Sequence, residues 1–206
     1  MSGVRSPTRL HFYRSVAQLV ERRSPKPEVV GSSPTTLAKE YKMTYTVEKL
    51  VEVARKAIQA SSKESSVYIG CDSIRFPKRI YGTNKKYVLK WFARYSVVVI
   101  VHKDSAHGCE LHYATVEMED WGNLKQRLMS EVHLAVQVAS EMLDHLDGRY
   151  MEVHLDVNPS PTHKSNVAVK EALGYVRGMG MNAVIKPDGF AATHAADHAV
   201  RGKRLH

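Results

Sequence analysis

The sequence predicts an α/β domain in which five strands and three helices follow the order β-β-β-α-β-α-β-α, preceded by one extra helix. Three observations support this prediction. Five segments are rich in β-branched and aromatic residues, four segments repeat apolar residues at helical spacing, and short polar or glycine-containing loops separate them. The chain has 206 residues, of which 43% are hydrophobic and 25% are charged, as is ordinary for one globular domain.

The first two predicted elements are a helix and a strand. Residues 46–60 (TVEKLVEVARKAIQA) repeat apolar residues at helical spacing, with Thr46 as the predicted N-cap. Residues 67–73 (VYIGCDS) predict a strand. Because side chains alternate along a strand, Asp72 is expected on the face opposite Cys71.

The next segments are a basic, turn-rich loop and two long strands. Residues 75–86 (RFPKRIYGTNKK) are predicted to be rich in turns, because Gly82 and Asn84 are typical turn residues. The β-rich run at residues 87–102 and the alternating run at residues 109–119 predict a pair of strands joined as a hairpin.

Helices and strands alternate in the rest of the chain. Apolar spacing followed by glycines predicts two helices, and two short β-rich runs predict the remaining strands. In chain order these are a helix at residues 123–146, a strand at 151–157, a helix at 166–180, a strand at 182–187 and a final helix with Asp188 as its N-cap.

The formal net charge of +9 is concentrated in a segment that differs from the rest of the chain. Residues 1–42 contain eight Lys/Arg and three Glu, whereas residues 43–206 contain 22 Lys/Arg and 18 Asp/Glu. VAQLVER and GSSP back-translate to sequences that resemble the D-arm and T-arm of a transfer-RNA gene, and Lys39-Glu40 back-translates to the ribosome-binding sequence AAG GAG. We therefore expect translation to begin at Met43, residues 1–42 to be a non-native extension, and the gene to come from a bacterium or bacteriophage. The alternative is a disordered basic arm that binds nucleic acid.

The sequence also bears on the cellular compartment. No apolar run approaches the ~20 residues of a membrane span, and the N-terminus lacks the apolar core of a signal peptide. The two cysteines, Cys71 and Cys109, have neither a disulfide-framework nor a metal-ligand spacing. A cytoplasmic location is therefore expected.

Four carboxylates occupy positions that suggest a shared site. Asp72 ends the first strand, Asp156 lies near the end of the fourth strand, and Asp197 belongs to the final helix. Glu131 lies on an apolar stripe of the long helix, where an unpaired buried carboxylate is costly. The alternatives are a strand-end turn for Asp72, an Asx-type turn for Asp156 and the solvent edge of the helix for Glu131.

The final helix contains the stretch KPDGFAATHAADHAVR, residues 186–201. Helical spacing places His194 and Asp197 on one face, with His198 on the adjoining stripe. Alanines around an Asp/His cluster indicate close packing beside a group that needs polar ligands. An ordinary surface helix is the alternative.

Four motifs carry a resemblance to a known family. YIGCDS, HLDVNPSP, GYVRGMG and IKPDGFAATHAADHAVR resemble the ribonuclease-H-like superfamily, and most closely its YkuK family of bacteria and phages, over residues 45–203. The resemblance implies a mixed five-stranded sheet with helices on both faces. It also implies acidic site residues from the first strand, the first long helix, the fourth strand and the final helix, and a nuclease activity on nucleic acid.

Carboxylates at these four places are suited to metal-dependent hydrolysis. Two divalent ions ~4 Å apart deprotonate water and stabilise both the phosphorane and the leaving oxygen. Mg²⁺ and Mn²⁺ prefer oxygen ligands, whereas clustered carboxylates without a metal repel one another. We therefore predict two Mg²⁺ or Mn²⁺ ions, with Asp72 as the bridging ligand and with Glu131, Asp156 and Asp197 as the other ligands.

Histidine and serine residues near these carboxylates are further candidates. His194 would position the attacking water or assist the leaving group, since histidine titrates near neutral pH. The exonuclease branch of the superfamily has a histidine five positions before its last aspartate, whereas His194 is three positions before Asp197. Ser165 and His163, in the loop after Asp156, are candidates for contacting a phosphate; a plain polar loop is the alternative.

A basic segment next to Asp72 predicts where nucleic acid binds. No Asp or Glu occurs between Asp72 and Asp104, and basic side chains neutralise phosphates. Alternation places Tyr87 and Trp91 on the same face as Tyr95, so these aromatics are predicted to be core rather than stacking residues. A solvated hairpin is the alternative interpretation of the charges. The predicted nucleic-acid-binding residues are Arg75, Lys78, Arg79, Lys85, Lys86 and Ser165.

Two rival functions remain open at this point. One is a nucleic-acid-binding module of the same fold that is catalytically weak or inactive. The other is a metal-dependent hydrolase that acts on a small phosphorylated substrate, which activity on nucleotides but not on polymers would indicate.

Overall fold

The computed structural model describes residues 45–82 and 86–201, and these form a mixed five-stranded sheet in the order β3-β2-β1-β4-β5. β1, β2 and β3 are antiparallel neighbours, whereas β1, β4 and β5 are parallel. The predicted extension at residues 1–42 and the predicted site residue Lys85 lie outside the described residues. The elements are α1 Val47–Ala60, β1 Ser66–Tyr81, β2 Tyr87–His102, β3 Cys109–Glu119, α2 Leu124–Ser140, β4 Tyr150–Leu155, α3 Val169–Gly178, β5 Asn182–Ile185, a π-helical segment Ala191–Ala196 and α4 Asp197–Val200.

Helices cover both faces of the sheet, which confirms the predicted fold class. On one face, α1, α2 and α3 bury the main core, to which β1 contributes Val67, Ile69 and Cys71. On the other face, a second core joins Val98 and Ile100 of β2 to the alanines of the π segment and α4. Alternate residues of each strand therefore belong to different cores, as the pleat of a strand requires.

The alanine-rich π segment lies in direct contact with the backbone of β1. A Cβ atom added at Gly70 would lie 2.4 Å from the backbone nitrogen of Ala192. A real Cβ atom does not come so close to backbone atoms, so the strand requires glycine at this position. Ala191 and Ala192, which approach it, are fully buried. The composition of this helix is thus explained by close packing.

Several predicted boundaries are confirmed, and two are wrong. Thr46 caps α1 by accepting a hydrogen bond from the backbone nitrogen of Lys49 at 3.3 Å. The long helix ends at Ser140 rather than at residue 146, and a separate 3₁₀ turn follows at Leu143–His145. Asp188 lies in a turn, while Phe190 holds the N-cap position of the π segment without a side-chain cap.

The largest difference from prediction concerns the basic segment after Asp72. Residues 75–81 are not turns but a continuation of β1, which pairs with β2 as far as Tyr81 opposite Tyr87. β3 pairs with β2 only from Phe92 onward, so the outer part of the β1–β2 hairpin is a two-stranded ribbon.

The predicted burial of the ribbon aromatics is wrong for the same reason. Tyr87 is 73% exposed, Leu89 60% and Trp91 43%, whereas Tyr95, which lies inside the three-stranded part of the sheet, is buried. Alternation identifies which residues share a face, but only packing against another element buries that face. Among the described residues, no helix is long and apolar enough to cross a membrane.

Candidate active site

Asp72 and Asp156 lie side by side in the centre of the sheet. β1 and β4 are parallel neighbours, and Cys71 is the register partner of Leu155. The next residue on each chain segment is the aspartate, so the two carboxylates leave adjacent strands at the same level. Neighbouring strands are only about 4.8 Å apart, so the two side chains share one local environment.

Glu131 approaches this place from α2, on the main-core face of the sheet. The residue is 5% exposed and lies on the buried stripe with Leu128, Ala135 and Val138, as predicted. The hydroxyl of Ser73 donates a hydrogen bond to Oε1 of Glu131 at 2.6 Å. β1 therefore presents Asp72 on one face and a partner for Glu131 on the other.

One pocket brings the three carboxylates together. It has a volume of about 430 Å³ and opens to solvent beside the loop that follows β4. Ser165 and His163, which were predicted to contact a phosphate, lie on its wall. The lining residues are Asp72, Ser73, Leu124, Arg127, Leu128, Glu131, Asp156, His163, Lys164 and Ser165.

The electrostatics of the pocket are those of crowded carboxylates. Burial, and after it the negative charge of Asp156, raises the pKa of Asp72 from its ordinary value of 3.8 to about 7. Burial also raises the pKa of Glu131 well above its ordinary value, with Asp72 as the largest charged contributor. Both carboxyls thus lie where positive charge would be stabilising.

Asp156 has two partners that the sequence analysis missed. The ammonium of Lys186 lies 2.7 Å from Oδ1 of Asp156, and the hydroxyl of Thr193 donates to the same oxygen at 3.2 Å. Leu155 pairs with Ile185 across the parallel β4–β5 ladder, so Asp156 and Lys186 both follow directly after paired residues. The meeting of Asp156 and Lys186 could have been predicted from the sequence, because each follows a predicted strand and the carboxyl ends of parallel strands meet at one edge of the sheet.

Asp197 and His194 are placed differently from these residues. Asp197 is half-buried, forms an ion pair with Arg201, and contributes to the raised pKa of Asp72. Its carboxylate is therefore near the pocket, although it does not line it. His194 is exposed on the π segment and does not line the pocket either. A π-helical stretch has a wider turn than an α-helix, which changes the faces that α-helical spacing predicts.

The donor chemistry of the pocket fits a divalent cation such as Mg²⁺ or Mn²⁺. Its acidic side chains offer only oxygen atoms. Burial, followed by the charges of neighbouring carboxylates, raises the pKa values of Asp72 and Glu131. In the part of the chain that the structure describes, however, no group of three or more His, Cys, Asp or Glu side chains is already arranged to hold a metal ion. A cation that binds Oδ1 of Asp156 would compete with the contact of this oxygen to Lys186.

Two of the four described cations that were predicted to bind nucleic acid are paired with acids from β3 and the following loop. Lys78 lies 2.9 Å from Glu117, and Arg75 lies 2.5 Å from Asp120. Arg79 is exposed and forms no ion pair with another described residue, and the same holds for Lys86. The acid-free run in the sequence is thus partly neutralised by the neighbouring strand.

Comparison with known proteins gives one match. A family model described as Ribonuclease H-like matches residues 47–201, which is more than half of the chain. No curated protein and no solved structure matches the chain.

Proposed function

The chain belongs to the ribonuclease H-like family, and on this basis we propose that it is a divalent-metal-dependent nuclease with its active site in the Asp72 pocket. The observation that carries the proposal is the convergence of Asp72, Glu131 and Asp156, from three different elements, on one pocket where burial and mutual repulsion raise the pKa of two of them. Within the family, the motifs YIGCDS and HLDVNPSP support a place in the YkuK branch.

Asp72 is the proposed ligand shared between two metal sites. Its charge acts on Glu131 more strongly than the charge of Asp156 does, and Asp72 is itself affected by Asp156 and Asp197. Glu131, Asp156 and Asp197 complete the two sites. When bound, Mg²⁺ or Mn²⁺ ions activate water and stabilise the negative charge of the transition state.

The polar wall of the pocket is the proposed binding place of the scissile phosphate. Lys164 and Ser165 follow Asp156 in the chain and line the same pocket as the carboxylates. The Ser165 hydroxyl also accepts a hydrogen bond from the backbone nitrogen of Asn158 at 3.1 Å, which holds the loop in place. His163 on this wall joins His194 as a candidate for proton transfer to the leaving group.

Hydrolysis of labelled oligonucleotides tests the proposal. RNA, DNA and hybrid substrates should be cleaved in Mn²⁺ or Mg²⁺ and not in EDTA, because the crowded carboxylates need a cation before an anionic phosphate can approach. A nuclease assay resolved on a gel measures the products. Asp144→Asn, an exposed change in the turn Leu143–His145, should cleave like the wild type. Cleavage that persists in EDTA, or that is confined to mononucleotides, contradicts the proposal.

A second candidate function is a nucleic-acid-binding module that cleaves weakly or not at all. The contact between Lys186 and Asp156 favours it, since an internal cation already neutralises one proposed ligand. Retained binding without cleavage under every metal condition would establish this function in place of the first.

Lys186 should compete with the metal for Asp156. Replacing it by glutamine removes a positive charge 2.7 Å from the carboxylate, so Mn²⁺ affinity should rise by roughly tenfold. Calorimetric or spin-resonance titration with Mn²⁺ measures this directly. Lys170→Gln, an exposed change on α3, should leave the affinity unchanged. Equal or weaker binding by Lys186→Gln would show that the lysine does not compete.

A further inference from the structure

The outer hairpin of β1 and β2 has two chemically different faces. Opposed residues in the antiparallel register share a face, and on one face these are Tyr81 with Tyr87, Arg79 with Leu89, Pro77 with Trp91, Arg75 with Ala93 and Ser73 with Tyr95. We call the part of this face from Arg75 to Tyr81 and from Tyr87 to Ala93, together with Trp121, the aromatic face. None of its strand positions carries an acidic residue.

The opposite face of the hairpin holds the neutralised cations. Lys78 and Arg94 both pair with Glu117, and Lys90 pairs with Glu119 at 2.9 Å. Phe76 and Phe92 lie half-buried beneath these side chains. The cations and aromatic rings of this face therefore already interact with other side chains of the protein.

The aromatic face, in contrast, leaves large rings open to solvent. Tyr81 is 63% exposed, Tyr87 73% and Trp121 78%. Trp91 lies under the guanidinium of Arg75, which is 4.2 Å from the ring centroid. Arg79 is exposed between them along the strand. Arg75 also pairs with Asp120, whereas Arg79 forms no ion pair with another described residue. Exposed rings beside an exposed guanidinium form a surface suited to flat, negatively charged partners.

This face leads to the candidate active site. A second cavity of about 170 Å³ lies next to it, lined by Tyr95, Trp121 and Gln126 among others. Arg127 lines both this cavity and the carboxylate pocket. From Ser73 in the pocket to Tyr81 at the hairpin tip, β1 extends about 26 Å at roughly 3.3 Å per residue. The rings are thus spaced along a path that ends at the carboxylates.

We infer that the aromatic face binds single-stranded nucleic acid and leads it to the carboxylate pocket, an inference that rests on the proposed nuclease function and names its substrate class. Exposed aromatic side chains stack on unpaired bases of any sequence, while the exposed Arg79 neutralises a backbone phosphate. In a duplex the bases are already stacked on one another, so they are not free to stack on the aromatic rings of the protein. Because the strand positions of the aromatic face carry no carboxylate, they do not repel a polyanion.

Binding measured in EDTA tests this inference without cleavage. Fluorescence anisotropy with a labelled single strand and with the duplex of the same sequence should show tighter binding of the single strand. Trp121→Ala and Tyr87→Ala should each weaken single-strand binding by roughly 5- to 150-fold, the range expected for the loss of one stacked base. Both side chains are mostly exposed, so the melting temperature should not change.

Tyr175→Ala provides the matched control, because Tyr175 is a partly exposed aromatic residue on α3, away from the hairpin. Its single-strand affinity should equal that of the wild type. Unchanged affinity in both Trp121→Ala and Tyr87→Ala would overturn the inference. Equal affinity for duplex and single strand would also overturn it. A third outcome would overturn it as well: the wild type forms a concentration-dependent dimer, the two variants abolish the dimer, and single-strand binding persists. The aromatic face would then be a contact between two copies of the chain.

The outcome also separates this inference from the proposed function. If the aromatic variants lose single-strand binding but the wild type never cleaves with Mn²⁺, the inference holds and the nuclease proposal fails. If the wild type cleaves and the variants keep its KM, the nuclease proposal holds and the inference fails.

Discussion

Asp72→Asn should reduce metal-dependent cleavage by about three orders of magnitude or more, because it removes the proposed shared ligand of both metal sites. Asparagine keeps the Oδ1 atom that accepts the backbone hydrogen bond from Ser73 at 2.8 Å, so the fold should be preserved. Initial rates in Mn²⁺ on the best oligonucleotide substrate measure the effect. Asp156→Asn should have an effect of the same order, since the two carboxylates leave adjacent strands at one level.

The control for this experiment is Asp144→Asn, which makes the same chemical change at an exposed position. It should retain the wild-type rate. If Asp72→Asn cleaves within a few-fold of the wild type, the carboxylate pocket is not the active site. Unchanged nucleic-acid binding together with lost cleavage would assign Asp72 to catalysis rather than to substrate binding.

Without metal, the same substitution should stabilise the protein at neutral and higher pH. The pKa of Asp72 is about 7 in the folded protein and near 3.8 in the unfolded chain, so the folded state holds its proton more tightly. The wild type therefore loses stability as the pH rises from about 4 to about 7, and loses no more from this group above pH 7. Asparagine does not titrate, so Asp72→Asn should gain up to about 4 kcal/mol in the free energy of unfolding above pH 7 and little below pH 4.

Urea unfolding in EDTA at pH 5 and pH 8 measures this difference. The advantage of Asp72→Asn should be larger at pH 8, while Asp144→Asn should follow the wild type at both values. In saturating Mn²⁺ the wild type should be more stable than Asp72→Asn, because a ligand that binds only the folded wild type stabilises it by mass action. A difference that does not depend on pH would show that Asp72 is not held in a crowded, buried site.

If both predictions hold, the carboxylates of the pocket lower the free energy of unfolding of the metal-free protein and are needed for cleavage. The pocket keeps buried carboxylates that destabilise the metal-free fold, and Lys186 offsets part of that repulsion by pairing with Asp156. Proteins commonly retain such unfavourable arrangements where activity needs them. On the proposed function, the cation that binds the nucleic acid's phosphate also relieves the strain between the acids.

The sequence alone predicted most of the elements and most of the residues of the candidate site. Thr46 was identifiable as a cap, and Glu131 as an acid on an apolar stripe, because capping and helical periodicity depend on neighbours within a few residues. The strand patterns likewise put Asp72 and Asp156 at the ends of apolar runs. Together with the family motifs, this local information predicted a mixed sheet with helices on both faces.

Only the tertiary structure decided which residues meet and which faces are covered. Lys186 reaches Asp156 because β4 and β5 are parallel in a particular register, and Glu117 neutralises Lys78 because β3 lies beside the hairpin. Trp91 was predicted to be core, yet it is exposed, because none of the helices among the described residues extends over the outer ribbon. Each of these outcomes depends on contacts between residues distant in the chain, about which periodicity within one segment carries no information.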